Sequence, residues 1–196
     1  MMNSISPLDN VIKKGLFGNY EGKSDDNLIK INEVKGLLIV QIVQYKNSTF
    51  QITNANIDGL SLTDEALKVK FNNDTRILWC GPKNWLVVSN KKNLLESLKR
   101  ILNENDFAIT DLSHSRTIID LEGKNSKEVL KKGCPFNFND LKKAMCINSV
   151  FNGITVTIDM IEENPEKIRL YALRSFGESL YHSVTDSTLE FGFKVI

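Results

Sequence analysis

The chain has 196 residues, enough to bury one sizeable core or two small ones, and its 25 basic and 24 acidic side chains leave a formal charge of +1. A charge so close to zero creates no field that would concentrate a polyanion, so nucleic acid is not expected as a partner. The 20 Lys, 5 Arg and 21 Asn follow no concerted arrangement and are read as genome composition.

The opening MMNSISPLDNVIKK has no apolar stretch behind a basic start, which argues against a secretory signal and for a cytoplasmic protein. Residues 1–27 carry Pro7, Gly15, Gly18 and Gly22, and scattered apolar side chains that no face collects. They are expected to form a tail, or an arm that orders on a partner. Residues 36–45, GLLIVQIVQY, are about half the ~20 residues that a membrane helix needs, so they read as a buried strand and no membrane partner is expected. Residues 57–62 are weakly patterned and are taken as a vestigial helix.

Residues 76–80 and 85–89 alternate as strands around Gly81-Pro82-Lys83-Asn84, a turn sequence, and predict a hairpin. Leu94, Leu95, Leu98, Ile101 and Leu102 then mark one face of a helix over residues 91–103, capped by Ser89 or Asn90. The order recurs about eighty residues later. Residues 117–121 read as a strand, and Asn125 or Ser126 caps a helix that Gly133 and Pro135 stop. Residues 154–158 and 168–173 form a hairpin around Glu163-Asn164-Pro165-Glu166. Ser175-Phe176-Gly177-Glu178 is a capping box opening a helix with Phe176, Leu180 and Val184 on one face. The expected fold is α+β, with two β-α-β-β-α halves, residues 28–105 and 106–196, forming mostly antiparallel sheet with packed helices.

Chemistry is scarce in this pattern. Cys80, Cys134 and Cys146 are odd in number and widely spaced, and only His114 and His182 could join them. A metal site is therefore not expected, and the thiols read as small buried hydrophobes. No G-x-G-x-x-G is present for a dinucleotide, and the sequence before Gly123-Lys124 has Ile118 where a phosphate loop starts with Gly. Asp111-Leu112-Ser113-His114-Ser115-Arg116 is the one polar cluster that invites a mechanism. Neighbours on an extended strand point to opposite faces, so these residues do not make a triad. Asp111 or Ser113 is expected to cap backbone, and Arg116 to pair locally. No catalytic, cofactor-binding or metal residue is assigned. The sequons at Asn47 and Asn73 are read as chance in an Asn-rich chain.

Several of these strings carry a family resemblance: ILWCGPKNWLVV (77–88), Asp111 through Arg116, Leu130 with Gly133-Cys134-Pro135, Arg174-Ser175-Phe176, and Ser6-Pro7-Leu8. Over roughly residues 76–192 the chain resembles the gamma subunit of heterotetrameric sarcosine oxidase, related to the folate-binding fold of the glycine-cleavage aminomethyltransferases. The resemblance implies a single aminomethyltransferase-like domain over residues 28–196. It also implies a structural, non-catalytic chain in a complex that oxidatively demethylates an N-methyl amino acid and passes the one-carbon unit to tetrahydrofolate. Its partners would be alpha, beta and delta subunits. FAD, FMN, NAD, zinc and tetrahydrofolate would be held in those partners and not in this chain. An N-methylglutamate dehydrogenase counterpart fits equally. Aminomethyltransferases present a segment with an Asp near the first hairpin, where this chain has Trp79-Cys80-Gly81-Pro82-Lys83. The competing reading is a stand-alone folate-binding protein of the aminomethyltransferase or iron–sulfur-repair type, and a third is an unrelated α+β interaction domain.

Overall fold

The structure, a computed structural model, describes residues 5–196. The first four residues of the expected arm lie outside the described residues. In chain order the strands are β1 (Gly15–Phe17), β2 (Ile29–Glu33), β3 (Leu38–Gln44), β4 (Asn56–Ile57), β5 (Leu60–Ser61), β6 (Val69–Phe71), β7 (Thr75–Gly81), β8 (Asn84–Ser89), β9 (Phe107–Asp111), β10 (Arg116–Glu122), β11 (Cys146–Phe151), β12 (Ile154–Glu163), β13 (Glu166–Leu173) and β14 (Phe193–Val195). The helices are α1 (Leu94–Ile101), α2 (Ser126–Lys131) and α3 (Gly177–Thr188). The mostly antiparallel α+β class is as expected.

The chain divides into two compact units. The smaller holds Gly36–His114 with Ala144–Ile147; the larger holds the described residues up to Lys35 with Ser115–Lys143 and Asn148–Ile196. The division differs from halves at 28–105 and 106–196 because pairing is non-local. β9 pairs antiparallel with β3, which keeps it in the smaller unit, while β2 pairs antiparallel with β10, which draws residues 29–33 into the larger.

The smaller unit has a five-stranded sheet in the order β6-β7-β8-β3-β9. Trp79 and Trp85 stand directly opposite each other across the β7–β8 hairpin and so share a face. Both pack into this unit's own core with Ile42, Ile77, Val87, Phe107, Leu94 and Leu98 of α1, and Leu102 just past its end. Burying one such Leu contributes about 1.5–3 kcal/mol, which is what fixes α1 to the sheet. Ser89 Oγ accepts from Lys91 N at 3.1 Å, short of the helix, and the cap position falls to Asn93 without a side-chain bond. The vestigial helix at 57–62 is not formed. Instead β4 and β5 make a hairpin whose turn residues, Asp58 and Gly59, have φ of 54° and 81°, the left-handed pair that an Asp-Gly turn favours.

The larger unit has seven strands in the order β1-β14-β2-β10-β13-β12-β11. Residues 5–27 are not a loose arm. Leu8 is fully buried, β1 pairs with β14, and the Phe17 and Phe193 rings stack at 5.3 Å. α2 stops as expected around Gly133, but its N-terminus is satisfied from afar: Lys127 N donates to Glu166 Oε2 at 3.0 Å, while Ser126 Oγ donates to Gly123 O at 2.7 Å. The capping box of α3 is not formed either. Residues 174–176 make a 3-10 turn, so Phe176 takes the cap position without a side-chain bond and is 47 % exposed, while Leu180 and Val184 are fully buried.

The two units repeat one topology. Strand neighbours β6-β7-β8-β3 correspond to β11-β12-β13-β10, and the strand that follows the last helix, β9 or β14, lies on the far side of β3 or β10. In the larger unit β2 is inserted between β10 and β14, and β1 is added outside β14.

Candidate functional site

Three strings that are far apart in sequence meet at one place in the larger unit. Pro7, Ser115, Leu173, Arg174, Ser175, Glu178 and Ser179 line a concavity of about 620 Å³ at the start of α3. The backbone explains the convergence: Arg174 N donates to Ser115 O at 2.9 Å, continuing the β10–β13 ladder in which Arg116 faces Leu173. The Arg174 guanidinium donates to Ile5 O, tying the N-terminal segment to this end of the sheet. That segment is also held by Ser6, whose hydroxyl donates to Glu33 and accepts from Leu8 N at 3.0 Å. Thr117 Oγ1 would lie 2.5 Å from a side-chain carbon placed on Gly177, so the close approach of α3 to β10 requires glycine there.

Around this concavity Ile5, Leu173 and Phe176 are 70 %, 47 % and 47 % exposed. Large apolar side chains held open beside a guanidinium and a carboxylate suit contact with another protein.

The string Asp111 to Arg116 is divided between the units, and each part binds locally. In the smaller unit Ser113 Oγ donates to Asp111 Oδ1 at 2.6 Å and accepts from Ile39 N at 3.0 Å, while Ser113 N donates to the same carboxylate at 2.9 Å. The Ser113 hydroxyl bond, joined by its amide, lowers the Asp111 pKa despite partial burial. In the larger unit Arg116 donates to Ser115 O and Oγ, both at 3.3 Å. The Ser113 hydroxyl meets the Asp111 carboxylate directly and holds the Ile39 amide, which makes a backbone clamp. Residues 112–115 form a turn between β9 and β10 and not the extended strand expected.

The carboxylates near the first hairpin lie at its open end, a feature that sequence reading missed. Lys91 Nζ is 2.7 Å from Asp58 and 3.3 Å from Asp74, and Thr75 Oγ1 donates to Asp58 at 2.7 Å. Lys91 and then Thr75 lower the Asp58 pKa, and Asp58 raises that of Lys91. The available signal was the Asp-Gly turn, which places Asp58 beside β7.

Among the described residues no three His, Cys, Asp or Glu side chains are grouped to hold a metal ion. Cys134 and Cys146 are buried, Cys134 Sγ donating to Ser149 Oγ at 3.1 Å and Cys146 Sγ to Trp79 O at 3.2 Å; Cys80, at the hairpin bulge, is only half-buried. None of the three forms a disulfide among the described residues, so alkylation of denatured, unreduced protein is expected to add three labels by mass. A single label would reveal a bridge. Among the described residues no helix is long and apolar enough to cross a membrane.

The fold is of the aminomethyltransferase-like α+β type. The glycine cleavage aminomethyltransferase T of Bartonella henselae superposes with a TM-score of 0.64 at 10 % identity, over 86 % of this chain and 48 % of its own. The heterotetrameric sarcosine oxidase of Corynebacterium sp. U-96, in complex with pyrrole 2-carboxylate, superposes with a TM-score of 0.77 at 24 % identity, over 86 % and 87 % of the two chains. The model of the Sarcosine oxidase, gamma subunit family matches residues 46–190, and the chain belongs to that family. The sarcosine oxidase gamma subunits of Corynebacterium sp. strains U-96 and P-1 are each 27 % identical to it over 120 residues. That stretch is 60 % of this chain and 58 % of the length of those relatives.

Proposed function

We propose that the chain is a non-catalytic, gamma-type structural subunit of a flavin-dependent, sarcosine oxidase-like heterotetramer in the cytoplasm. Its alpha, beta and delta partners carry FAD, FMN, NAD, zinc and tetrahydrofolate. Together they demethylate an N-methyl amino acid oxidatively and pass the carbon to tetrahydrofolate. The family match over residues 46–190 carries this reading. It is supported by Ile5, Leu173 and Phe176, held open around Arg174 where the strings at Pro7, Ser115 and Arg174 meet.

A permanent interface usually buries more than ~2,000 Å², so a missing subunit leaves apolar area bare on its neighbours. Flavin-oxidase subunits from the same genome, co-expressed with this chain, are expected to give a complex of higher yield and heat stability than without it. Equal yield, equal heat stability and equal turnover in its absence would overturn the proposal.

A further inference from the structure

We propose that the outer edge of β9 docks an extended segment of a partner subunit, which joins the five-stranded sheet as an antiparallel sixth strand and sets an apolar side chain beside α1. This rests on reading the chain as a subunit of a larger complex.

The backbone directions come first. Tyr45 N donates to Asp106 O, and Leu112 N to Ile39 O, both at 2.8 Å. In an antiparallel ladder bonded pairs alternate, so Ala108, Thr110 and Leu112 point their amides at β3, and Phe107, Ile109 and Asp111 point theirs away. Phe107 N is taken by Asn103 O at 2.9 Å. The N–H and C=O of Ile109 and Asp111, and the C=O of Phe107, form a row that no strand among the described residues pairs, because β9 ends the sheet. The strand, FAITD, has no Pro, Lys or bulge to keep its exposed edge from pairing, and its one charge, Asp111, stands at the end away from Phe107.

The internal repeat shows what such an edge takes. β14 holds the equivalent place in the larger unit, and its outer edge is covered by β1, Gly15-Leu16-Phe17, running antiparallel with Phe17 opposite Phe193. Phe17 and Phe193 both line the groove against α3. In the smaller unit Phe107 opens β9 as Phe193 opens β14, and a cleft of about 470 Å³ lies between β9 and α1, lined by Tyr45, Lys99, Leu102, Glu104, Phe107 and Ile109. The larger unit covers the edge with residues of its own; the smaller unit has the edge and the cleft without the covering strand.

A second copy of the chain fits less well than a different chain. Two-fold pairing of β9 with itself about Ile109 would set Asp111 of one copy opposite Phe107 of the other, a carboxylate at the apolar cleft where β1 supplies an aromatic ring. A partner segment with an apolar residue opposite Phe107 meets both the backbone row and the cleft.

Amide hydrogen exchange on the co-expressed complex tests this directly. In the isolated chain Ile109 and Asp111 are expected to exchange fast while Ala108 and Thr110 are protected, and in the complex the first pair should slow at least tenfold. Ile109→Pro removes an outward N–H that the fold does not use, so the variant should stay folded by circular dichroism. It is expected to co-purify with the partner subunits at least tenfold less than Ile109→Val, which keeps the N–H. An assembled complex in which Ile109 and Asp111 still exchange fast, or in which Ile109→Pro assembles like Ile109→Val, overturns the docking edge and leaves the subunit assignment standing. Failure of the wild-type chain to assemble with those subunits overturns both. Protection that grows with concentration in the isolated chain, with a doubled mass, would assign the edge to a second copy instead.

Discussion

Arg169→Met is expected to be among the most damaging single substitutions, costing about 3–5 kcal/mol because it strands a buried carboxylate. Arg169 on β13 faces Asp120 on β10 and Asp159 on β12 in register, so one arginine position stands between two acidic ones across three strands. Its Nε and Nη2 donate to the two Asp120 oxygens at 2.7 and 2.9 Å, a bidentate pair. Asp120 is 5 % exposed and Asp159 is fully buried, so neither carboxylate has water to fall back on. Burial alone would depress the guanidinium, yet the hydrogen bonds and charge of Asp120, with Tyr171, hold its pKa above the ordinary arginine value. Lys167 Nζ is 4.0 Å from Asp120 and compensates only in part. At roughly 2–4 °C per kcal/mol for a chain of this size, the melting temperature should fall by roughly 10 °C. Asp120→Leu with Arg169→Leu should recover only part of that loss, since it removes the desolvation costs of those two groups but leaves the buried Asp159 opposite an apolar side chain. Lys167→Met, at the rim pair with Glu122, should cost under about 1 kcal/mol. A melt of Arg169→Met within 2 °C of wild type would show that the pair is not holding the sheet.

Elements with their own periodicity could be read from the chain, and elements defined by distant partners could not. The β7–β8 hairpin, α1, β10, the β12–β13 hairpin and α3 each carry alternation, a helical stripe or a turn sequence, and each stands within a few residues of its expected place. β1, by contrast, is three residues whose strand character exists only because Phe193–Val195 lies beside it. β2 and β9 misplaced the boundary between halves for the same reason, since each was assigned by its position along the chain and pairs with β10 and β3 instead. α2 shows the limit of local capping rules: its Asn125 and Ser126 were reasonable caps, but the donor at Lys127 is met by Glu166, 39 residues on.

The surface at Arg174 was partly readable as well. Ser6-Pro7-Leu8, Asp111 to Arg116 and Arg174-Ser175-Phe176 stood out as strings, but nothing in the sequence said that Pro7, Ser115 and Arg174 adjoin. Their meeting depends on the β10–β13 register, whose pairs lie from 45 (122 to 167) to 57 (116 to 173) residues apart, and on the path of residues 5–9, tied down by Arg174. The string Asp111 to Arg116, expected on an extended strand, instead spans the turn between β9 and β10, and it is this turn that brings the Ser113 hydroxyl back to Asp111.

The two tryptophans of the first hairpin should behave oppositely when their N–H is removed, although they stand side by side. Trp85 is fully buried, and its Nε1 donates to Thr63 O at 2.7 Å, which holds the loop after β5 against β8. Trp85→Ala is expected to cost about 3–5 kcal/mol through the cavity it opens, with a further loss from the unpaired Thr63 carbonyl. That corresponds to a melting temperature lower by roughly 10 °C or more. Trp85→Phe keeps most of the apolar volume and should cost about 1–3 kcal/mol, much of it the lost hydrogen bond. The Trp79 Nε1 is buried with no hydrogen-bond partner among the described residues, so its desolvation is not repaid in this chain. Trp79→Phe removes that orphan donor while keeping the ring against Trp85 and the core, and should leave stability unchanged or raise it slightly. Thermal melts of Trp79→Phe and Trp85→Phe, run side by side, decide the matter. If Trp79→Phe loses as much as Trp85→Phe, the two indoles are held by packing alone, and the bond to Thr63 contributes nothing that can be measured.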